Sequence, residues 1–211
     1  MSARPSREEQ RDQLLEAALV HVPFDGWSRR SLMAGARDAG IDPATARRLF
    51  PRAGDDLLVH LERWADRKML ERVDAATLQT MRMRDRIAAL VRARLEVLTP
   101  HREAMRRAVA ARMLPGNMLA AGSSLWHTAD VMWSAAGDHA VDFSYYTKRA
   151  MLAGVCSTTF FYWLDDRSPG LEDSWAFLER RIDDVMQITQ MRARFDDTVR
   201  SFTRYAPFAR R

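Results

Sequence analysis

Residues 126–182 read WHTADVMWSAAGDHAVDFSYYTKRAMLAGVCSTTFFYWLDDRSPGLEDSWAFLERRI. This stretch contains four of the chain's six tryptophans and three of its four tyrosines. Gly137 and the Ser-Pro-Gly run at 168–170 interrupt it, and such residues mark the ends of helices. Between these breaks, residues 142–164 are apolar nearly all round. A helix with so little polar surface must be buried on several sides or must bury an apolar partner against itself. The pattern therefore predicts a core helix, one wall of an apolar ligand cavity, or a dimer face.

The rest of the chain also shows helical patterns. Apolar residues at helical spacing predict further helices over 55–73, 84–98, 101–113 and 118–136, and strand patterns are almost absent. The predicted fold class is therefore all-α. We predict a helix-turn-helix subdomain over 1–54, a helical domain over 55–186 and an amphipathic tail helix over 187–211.

The composition is typical of a folded, soluble protein. The chain has 211 residues, of which 47% are hydrophobic and 29% are charged, enough for one or two domains with a real core. A single cysteine, Cys156, excludes an internal disulfide and fits a reducing compartment. No run approaches the roughly 18 apolar residues of a membrane span, and we expect no secretory signal at the N-terminus. The net charge of +5 permits contact with nucleic acid or an anionic membrane without choosing between them.

The N-terminal residues have the pattern of a helix-turn-helix preceded by a leading helix. The leading helix is expected to end at Pro23 and Gly26. Ser28 is expected to cap a second helix, and Asp42 and Pro43 to begin a third as its N-cap and first residue.

Residues 14–58 resemble the DNA-binding domain of tetracycline-repressor-type regulators. The run LLEAALVHVPFDGWSRRSLMAGARDAGIDPATARRLFPRAGDDLL has that family's opening helix, Gly-Ile turn and closing Phe-Pro. The third helix departs from the family where DNA contact is expected. Pro43, Ala44 and Arg47 stand in place of a lysine, a small residue and an aromatic, and Asp42 and Asp55 bring negative charge close to where phosphates would lie. We therefore expect the repressor scaffold without sequence-specific DNA binding.

The sequence shows no catalytic or metal-binding pattern of weight. None of its five histidines belongs to a Glu-x-x-His motif. It also lacks a glycine-rich phosphate loop and a nucleophile elbow. Cys156 is most simply a small core residue. We expect no catalytic residues, no metal, no cofactor and no enzymatic activity.

Residues 50–186 resemble the ubiquinone-biosynthesis lipid-binding accessory family, that of the ninth coenzyme Q biosynthesis protein of mitochondria and its bacterial relatives. The matching runs are FPRAGDDLLVHLERWADR, LTPHREAMRRAVAARMLPGN, ADVMWSAAGDHAVDFSYYTKRAMLAGVCSTT and LDDRSPGLEDSWAFLERRIDDVM. The resemblance implies a tetracycline-repressor-like fold with a non-catalytic use. A protein of this kind binds an isoprenoid lipid or quinone precursor and presents it to a quinone-ring hydroxylase of ubiquinone synthesis.

The resemblance also leads us to expect a homodimer and a peripheral position on the membrane. The expected location is cytoplasmic, on the inner face of the membrane, or on the mitochondrial matrix side in a eukaryote. A ligand-sensing transcriptional regulator is the alternative, because both functions use the same scaffold.

Large aromatic side chains lie among small ones on the helices predicted over 118–136 and 142–164, and this arrangement could leave a slot between the helices. The alternative is that the same side chains simply fill a core, which the residues alone favour; the resemblance favours a lipid site. The predicted lipid-binding residues are Met113, Leu114, Met118, Trp126, Ala129, Met132, Trp133, Phe143, Tyr146, Ala150, Gly154 and Phe160.

The loop after the apolar helix is the predicted partner-binding surface. Connecting loops are exposed, and a tryptophan beside proline and leucine with a rim of acids has the composition of a binding hot spot. Trp175 packed inward as ordinary core is the alternative, and the resemblance implies that the hydroxylase docks here. The predicted partner-binding residues are Leu164, Asp165, Ser168, Pro169, Leu171 and Trp175.

Residues 187–211 have a basic amphipathic pattern. Apolar residues recur at steps of three and four, and six arginines against two aspartates give the segment a net charge of +4. Such a helix is typical of an anchor at an anionic membrane surface, and packing against its own domain or a second subunit is the alternative. The predicted membrane-binding residues are Ile188, Met191, Phe195, Val199, Phe202 and Phe208.

Overall fold

The described part of the chain is built from helices. The computed structural model describes residues 5–113, 118–138 and 143–186, and these ranges contain no β-strand. The prediction of an all-α fold is confirmed. No helix within these ranges is long and apolar enough to cross a membrane. The helices are α1 (Arg7–Leu19), α2 (Val22–Asp25), α3 (Arg29–Asp38), α4 (Pro43–Leu49), α5 (Gly54–Arg72), α6 (Ala75–Thr80), α7 (Met83–Leu98), α8 (Arg102–Arg112), α9 (Met118–Ala135), α10 (Phe143–Asp165) and α11 (172–186), with short 3-10 turns at Thr99–His101 and Pro169–Leu171.

The helix-turn-helix has the predicted caps. The Ser28 side chain accepts hydrogen bonds from two backbone N–H groups at 3.1 and 3.3 Å and begins α3. Asp42 Oδ1 accepts two more at 3.0 and 2.9 Å and begins α4, with Pro43 as its first residue. Each cap satisfies N–H groups that have no acceptor within the helix.

The prediction that Pro23 ends the leading helix is wrong. α1 ends at Leu19, and Pro23 lies in the first turn of the separate helix α2. Proline is tolerated there because the N–H groups of a first turn have no intrahelical acceptor to lose. Gly26, at a φ of +66°, then ends α2 in a conformation that favours glycine.

Trp27 joins the helix-turn-helix to the larger bundle. Its indole Nε1 donates a hydrogen bond to the backbone oxygen of Ala104 in α8 at 3.0 Å. The buried side chains of α1, including Leu14 and Leu15, belong to the same continuous core as Leu57 and Leu61 of α5. The N-terminal helices are thus packed onto the bundle rather than tethered to it.

A second short helix, α6, was also not predicted. It occupies residues that the apolar spacing left unassigned, and its N-cap is Asp74, whose carboxylate accepts a hydrogen bond from the backbone N–H of Thr77 at 2.7 Å. Only Leu78 of this helix is buried. A single buried position carries no periodicity, so the hydrophobic pattern gave no signal.

The apolar helix α10 is buried on one side and exposed on the other. Trp163 and Leu152 are in the core, whereas Tyr146 is 62% exposed and Phe161 is 53% exposed. Ala150, Gly154 and Thr158 are also exposed along the same helix. The core interpretation of this helix therefore holds for one side, and the other side is an apolar surface.

Two arginines of α8 fix the C-terminal end of α10. Arg102 donates to the backbone oxygen of Trp163, and its guanidinium lies 4.9 Å from the Trp163 ring centre. Arg106 Nη2 donates to the backbone oxygen of Leu164 at 2.5 Å. Because the last carbonyl groups of a helix have no intrahelical donor, these bonds satisfy them and hold α8 against α10.

Candidate apolar ligand cavity

A cavity of about 310 Å³ lies between α5, α7, α8, α9 and α10. Pockets that hold small ligands measure roughly 300–1,000 Å³ and are mostly apolar, so this cavity has the size and character of a small-molecule site. The apolar side chains that line it include Leu58, Leu61, Val91, Leu95, Leu98, Met105, Val109, Leu125, Met132 and Phe160.

Three of the predicted lipid-binding residues line this cavity: Met113, Met132 and Phe160. Ala129 is fully buried in the core and does not line it. Trp133 lines a separate cavity of about 50 Å³.

The other predicted lipid-binding residues lie elsewhere. Trp126 packs against Tyr146, with ring centres 6.1 Å apart, and Tyr146, Ala150 and Gly154 are exposed. The cavity borders α10 only from Cys156 onward, so the residues in the first half of this helix do not reach it. Leu114 lies outside the described residues, and the side chains of Met118 and Phe143 lie outside the described side chains.

Sequence reasoning missed the wall that α5 and α7 contribute. The leucines of these helices had the ordinary spacing of an amphipathic core helix, so nothing marked them as cavity residues. A signal was present in Arg94, which stands three residues after Val91 and four before Leu98 on the apolar side of α7. A charged residue at an apolar position is informative because such residues are almost never fully buried unless paired.

Arg94 forms a buried ion pair in this wall. Its Nε donates to Asp66 Oδ1 at 2.7 Å, and Thr128 Oγ1 lies 3.1 and 3.0 Å from the two carboxylate oxygens of Asp66. The side chains of Arg94 and Asp66 are 16% and 5% exposed. Burial lowers the pKa of Arg94, but the Asp66 carboxylate outweighs burial and the pKa is raised overall. The guanidinium is therefore charged at neutral pH.

The thiol of Cys156 also lines the cavity, with its Sγ 3.8 Å from Met132 Sδ. Burial raises the pKa of Cys156 to about 12, against the opposing effect of Arg94. The thiol is therefore protonated at neutral pH, and a protonated thiol is a poor nucleophile.

A second ion pair lines the same cavity one helical turn before Asp66. Arg112 Nη2 lies 2.8 and 2.9 Å from the two carboxylate oxygens of Glu62. The two pairs place charges of both signs beside a largely apolar wall that also contains the hydroxyl groups of Ser124, Thr128 and Ser157, and each carboxylate has its own arginine.

The predicted partner-binding loop is organised by Asp166. Its buried carboxylate accepts hydrogen bonds from the backbone N–H and the hydroxyl of Ser168 and from those of Ser174. Burial acts to raise the pKa of Asp166, but these hydrogen bonds outweigh it and lower the pKa to about 2. The carboxylate joins the loop to the first turn of α11.

Most of the predicted partner-binding residues are accessible in this loop. Asp165 and Pro169 are exposed, and Ser168 and Leu171 are partly exposed, whereas Leu164 is buried and contributes no surface. The half-buried Trp175 donates from Nε1 to the backbone oxygen of Gly170 at 2.9 Å, and the guanidinium of Arg92 lies 4.8 Å from its ring centre. Trp175 therefore packs on the loop and on α7 while keeping part of its ring accessible.

Three potential metal-ligand atoms lie within 4.8 Å of one another, on Glu8, Asp12 and His60. Arg67 forms ion pairs with Glu8 at 2.9 Å and with Asp12 at 2.6 Å, and His60 Nε2 lies 2.7 Å from Asp12 Oδ1. Both carboxylates are thus already bonded to the Arg67 guanidinium, and the group is an ion-pair network between α1 and α5. The expectation of no bound metal stays a prediction.

The residues of α4 at the positions where DNA contact is expected lie on its surface. Pro43, Ala44 and Arg47 are exposed, and Arg48 donates to Thr45 Oγ1 within the same helix at 2.7 Å. The predicted membrane-binding residues Ile188, Met191, Phe195, Val199, Phe202 and Phe208 lie outside the described residues.

Comparisons with known proteins agree with both resemblances. Residues 118–189 match the family model described as COQ9. The human protein named "Ubiquinone biosynthesis protein COQ9, mitochondrial" is 34% identical over 190 residues, which are 87% of this chain and 59% of the human protein. The Drosophila melanogaster protein of the same name is 31% identical over 198 residues, 92% of this chain and 60% of the fly protein. The chain thus spans about three fifths of the length of these relatives.

Among solved structures, a TetR transcriptional regulator from Nitrosomonas europaea has a TM-score of 0.70 against this chain. The match covers 84% of this chain and 98% of the regulator at 21% sequence identity. Likeness at this identity shows the fold alone. The prediction of a tetracycline-repressor-like fold is confirmed.

Proposed function

We propose that this chain, which is similar to COQ9 ubiquinone biosynthesis proteins over most of its length and matches that family's model at residues 118–189, is a non-catalytic lipid-binding accessory protein of ubiquinone synthesis. The observation that carries the proposal is the cavity of about 310 Å³ with its largely apolar wall. Such a cavity suits a lipid tail, because burying apolar surface stabilises by about 25 cal/mol per Å². The occupant we propose is an isoprenoid lipid or quinone precursor.

The test of this proposal is the identification of lipids that copurify with the protein. Isoprenoid quinones or their precursors, bound in a fixed ratio and lost when the cavity is filled by mutation, would support it. A protein that binds no such lipid would contradict it.

We further propose that the loop around Asp166 and the accessible part of Trp175 bind a quinone-ring hydroxylase. Support comes from the combination of an accessible tryptophan, exposed Pro169 and exposed Asp165 on a loop held in one conformation by the Asp166 carboxylate. An ordered surface loses less conformational entropy on binding than a mobile one. Presentation of a bound lipid to an enzyme would place the chemistry on that enzyme, in agreement with the protonated state of Cys156.

Residues 187–211 are proposed to attach the protein reversibly to an anionic membrane. Each basic residue near such a surface contributes about 1 kcal/mol, so a segment with a net charge of +4 and three phenylalanines gives salt-sensitive attachment without insertion. The corresponding location is the inner face of the membrane, on the cytoplasmic side, or the matrix side in a eukaryote. The relatives are named as mitochondrial proteins.

The exposed apolar side of α10 is the proposed homodimer face. Tyr146 and Phe161 are more than half exposed on it, and small residues between them at 150 and 154 would let a second helix approach closely. Contiguous apolar surface of this kind marks interaction sites in soluble proteins. The ligand-sensing regulator shares only the fold, and we propose no sequence-specific DNA binding.

A further inference from the structure

Arg94 has hydrogen-bonding capacity that the protein does not use. A guanidinium carries five N–H donors, and Arg94 donates only from its Nε, to Asp66. Within the described residues, no acceptor engages its two Nη groups. Neither Nη atom is one of the fully buried polar atoms without a hydrogen-bond partner in the described side chains, so both remain accessible. Because Arg94 lines the cavity, a molecule in the cavity can reach them.

The charge balance around Arg94 restricts what can bind there. Asp66 already neutralises the guanidinium, and the Asp66 carboxylate is itself occupied by Arg94 and Thr128. An anionic head group would leave a net negative charge in a wall that also contains the paired carboxylate of Glu62. Burying an uncompensated charge is costly. A neutral oxygen, such as a ring carbonyl, accepts a hydrogen bond from the guanidinium and adds no charge.

The apolar part of the cavity wall determines the second part of the ligand, its tail. Leu61, Val91 and Met132 lie in the same wall as Arg94 and present only apolar atoms or a thioether. A ligand that satisfies both parts is an amphiphile with an apolar tail and a compact, neutral, oxygen-bearing head. A pure hydrocarbon would fill the apolar part and leave the Arg94 donors without an acceptor, which costs free energy.

We propose that Arg94 is the head-group recognition residue of this cavity, donating from Nη to a neutral carbonyl or ring oxygen of an amphiphilic ligand. Asp66 and Thr128 position the guanidinium. The inference rests on the proposed lipid-binding function and narrows it, from apolar lipids in general to those with a neutral oxygen-bearing head.

The test compares three probes with the same farnesyl tail: a farnesyl benzoquinone, farnesylbenzene and a farnesyl benzoic acid. Their dissociation constants are measured by equilibrium dialysis with the full-length chain. The wild type should bind the quinone about tenfold more tightly than the hydrocarbon, which corresponds to about 1.4 kcal/mol and is close to the lower end of the range for a hydrogen bond to a charged group. The anionic probe should show no such advantage.

The main variant is Arg94→Met with Asp66→Asn, which removes both charges so that no carboxylate is left unpaired. It should bind the quinone and the hydrocarbon within about twofold of each other, because the hydrocarbon no longer leaves guanidinium donors without an acceptor. Arg94→Lys, which keeps the ion pair and removes the Nη donors, should lose most of the preference as well. Arg94→Lys provides the same comparison if the double variant does not fold.

The matched control is Arg149→Met with Asp130→Asn. Arg149 Nε donates to Asp130 at 2.6 Å, and Tyr145 donates to the same carboxylate at 3.0 Å. This carboxylate, like that of Asp66, therefore has one arginine and one hydroxyl as partners, but the pair does not line the cavity. It should keep the wild-type preference.

A quinone preference retained by the Arg94 variants would overturn the inference. Equal wild-type affinity for quinone and hydrocarbon would overturn it while leaving the proposed lipid-binding function intact. If neither probe binds the wild type, both the inference and the proposed function fail.

Discussion

A Cβ atom on Gly54 would lie 2.0 Å from the backbone oxygen of Trp27 and 2.3 Å from its carbonyl carbon. Gly54 is the first residue of α5, and Trp27 is the residue that bonds to α8. The absence of a side chain at 54 therefore allows the helix-turn-helix to pack closely on the bundle.

Gly54→Ala should destabilise the protein strongly, because the clash is with backbone atoms that cannot rotate away. We expect a loss of about 2 kcal/mol or more in the free energy of unfolding, at the upper end of overpacking effects, measured by urea denaturation. Gly122→Ala in α9 is the control, since a Cβ there meets nothing within 4 Å. It should be neutral or stabilising by up to about 1 kcal/mol. Equal effects of the two substitutions would contradict the close packing at Gly54.

Asp166→Asn should remove a pH-dependent contribution to stability. The folded-state pKa of Asp166 is about 2, below the ordinary value of 3.8, so the carboxylate stabilises the fold fully above about pH 4 and loses this effect as the pH falls toward 2. The variant should be less stable than wild type by about 1–2 kcal/mol at pH 7, and the difference should shrink as the pH is lowered. Chemical denaturation at pH 7 and at pH 3 measures it. Asp165→Asn changes a neighbouring exposed carboxylate and should have little effect at either pH; a pH-independent deficit in Asp166→Asn would show that its charge is not responsible.

Trp175→Ala should weaken binding of the proposed hydroxylase partner by about 2 kcal/mol or more, measured by pull-down and by titration of the purified partner. The indole bridges the loop and Arg92, so its loss removes the accessible ring and loosens the surface around it. Phe24→Ala is the control, because Phe24 is 83% exposed on α2 and is not part of the proposed docking loop. Unchanged partner binding in Trp175→Ala, with helix content and melting temperature preserved in both variants, would refute the docking surface.

Deletion of residues 187–211 should abolish cosedimentation with anionic liposomes and leave the melting temperature of the remaining protein unchanged. Phe195→Asp with Phe202→Asp should act likewise, because both residues lie on the apolar stripe of the predicted helix. Ala193→Asp with Ser201→Asp adds the same charge on the opposite side of that helix and should retain most of the binding. A truncated protein that still pellets with liposomes, or that unfolds, would assign the segment a structural role.

The fold was largely predictable because its signals are local. Ser28 and Asp42 cap their helices through hydrogen bonds to residues two and three positions away, which a sequence shows directly. The prediction for Pro23 was wrong because proline occurs both after the end of a helix and in the first turn of one. Only the packing of α2 decides between these two positions.

The cavity was predictable only in part. Met132 and Phe160 were identified from the aromatic-rich stretch, but Ala150 and Gly154 were placed with them because small residues indicate close packing without saying on which side. The Arg94–Asp66 pair joins residues 28 positions apart, and Thr128 is 62 positions from Asp66. Contacts of that separation depend on how the helices pack, and periodicity along one helix does not contain that information.

Lipid binding in the cavity is tested by mass spectrometry of the lipids that copurify with wild type, Ala121→Trp and Ser123→Trp. Ala121 lines the cavity, so a tryptophan there should fill it, whereas Ser123 is exposed on the same helix and does not line the cavity. We predict isoprenoid quinones or their precursors in near-stoichiometric amounts with wild type and Ser123→Trp, and their loss from a folded Ala121→Trp. The absence of such lipids from the wild type, or their full retention in Ala121→Trp, would contradict lipid binding in this cavity.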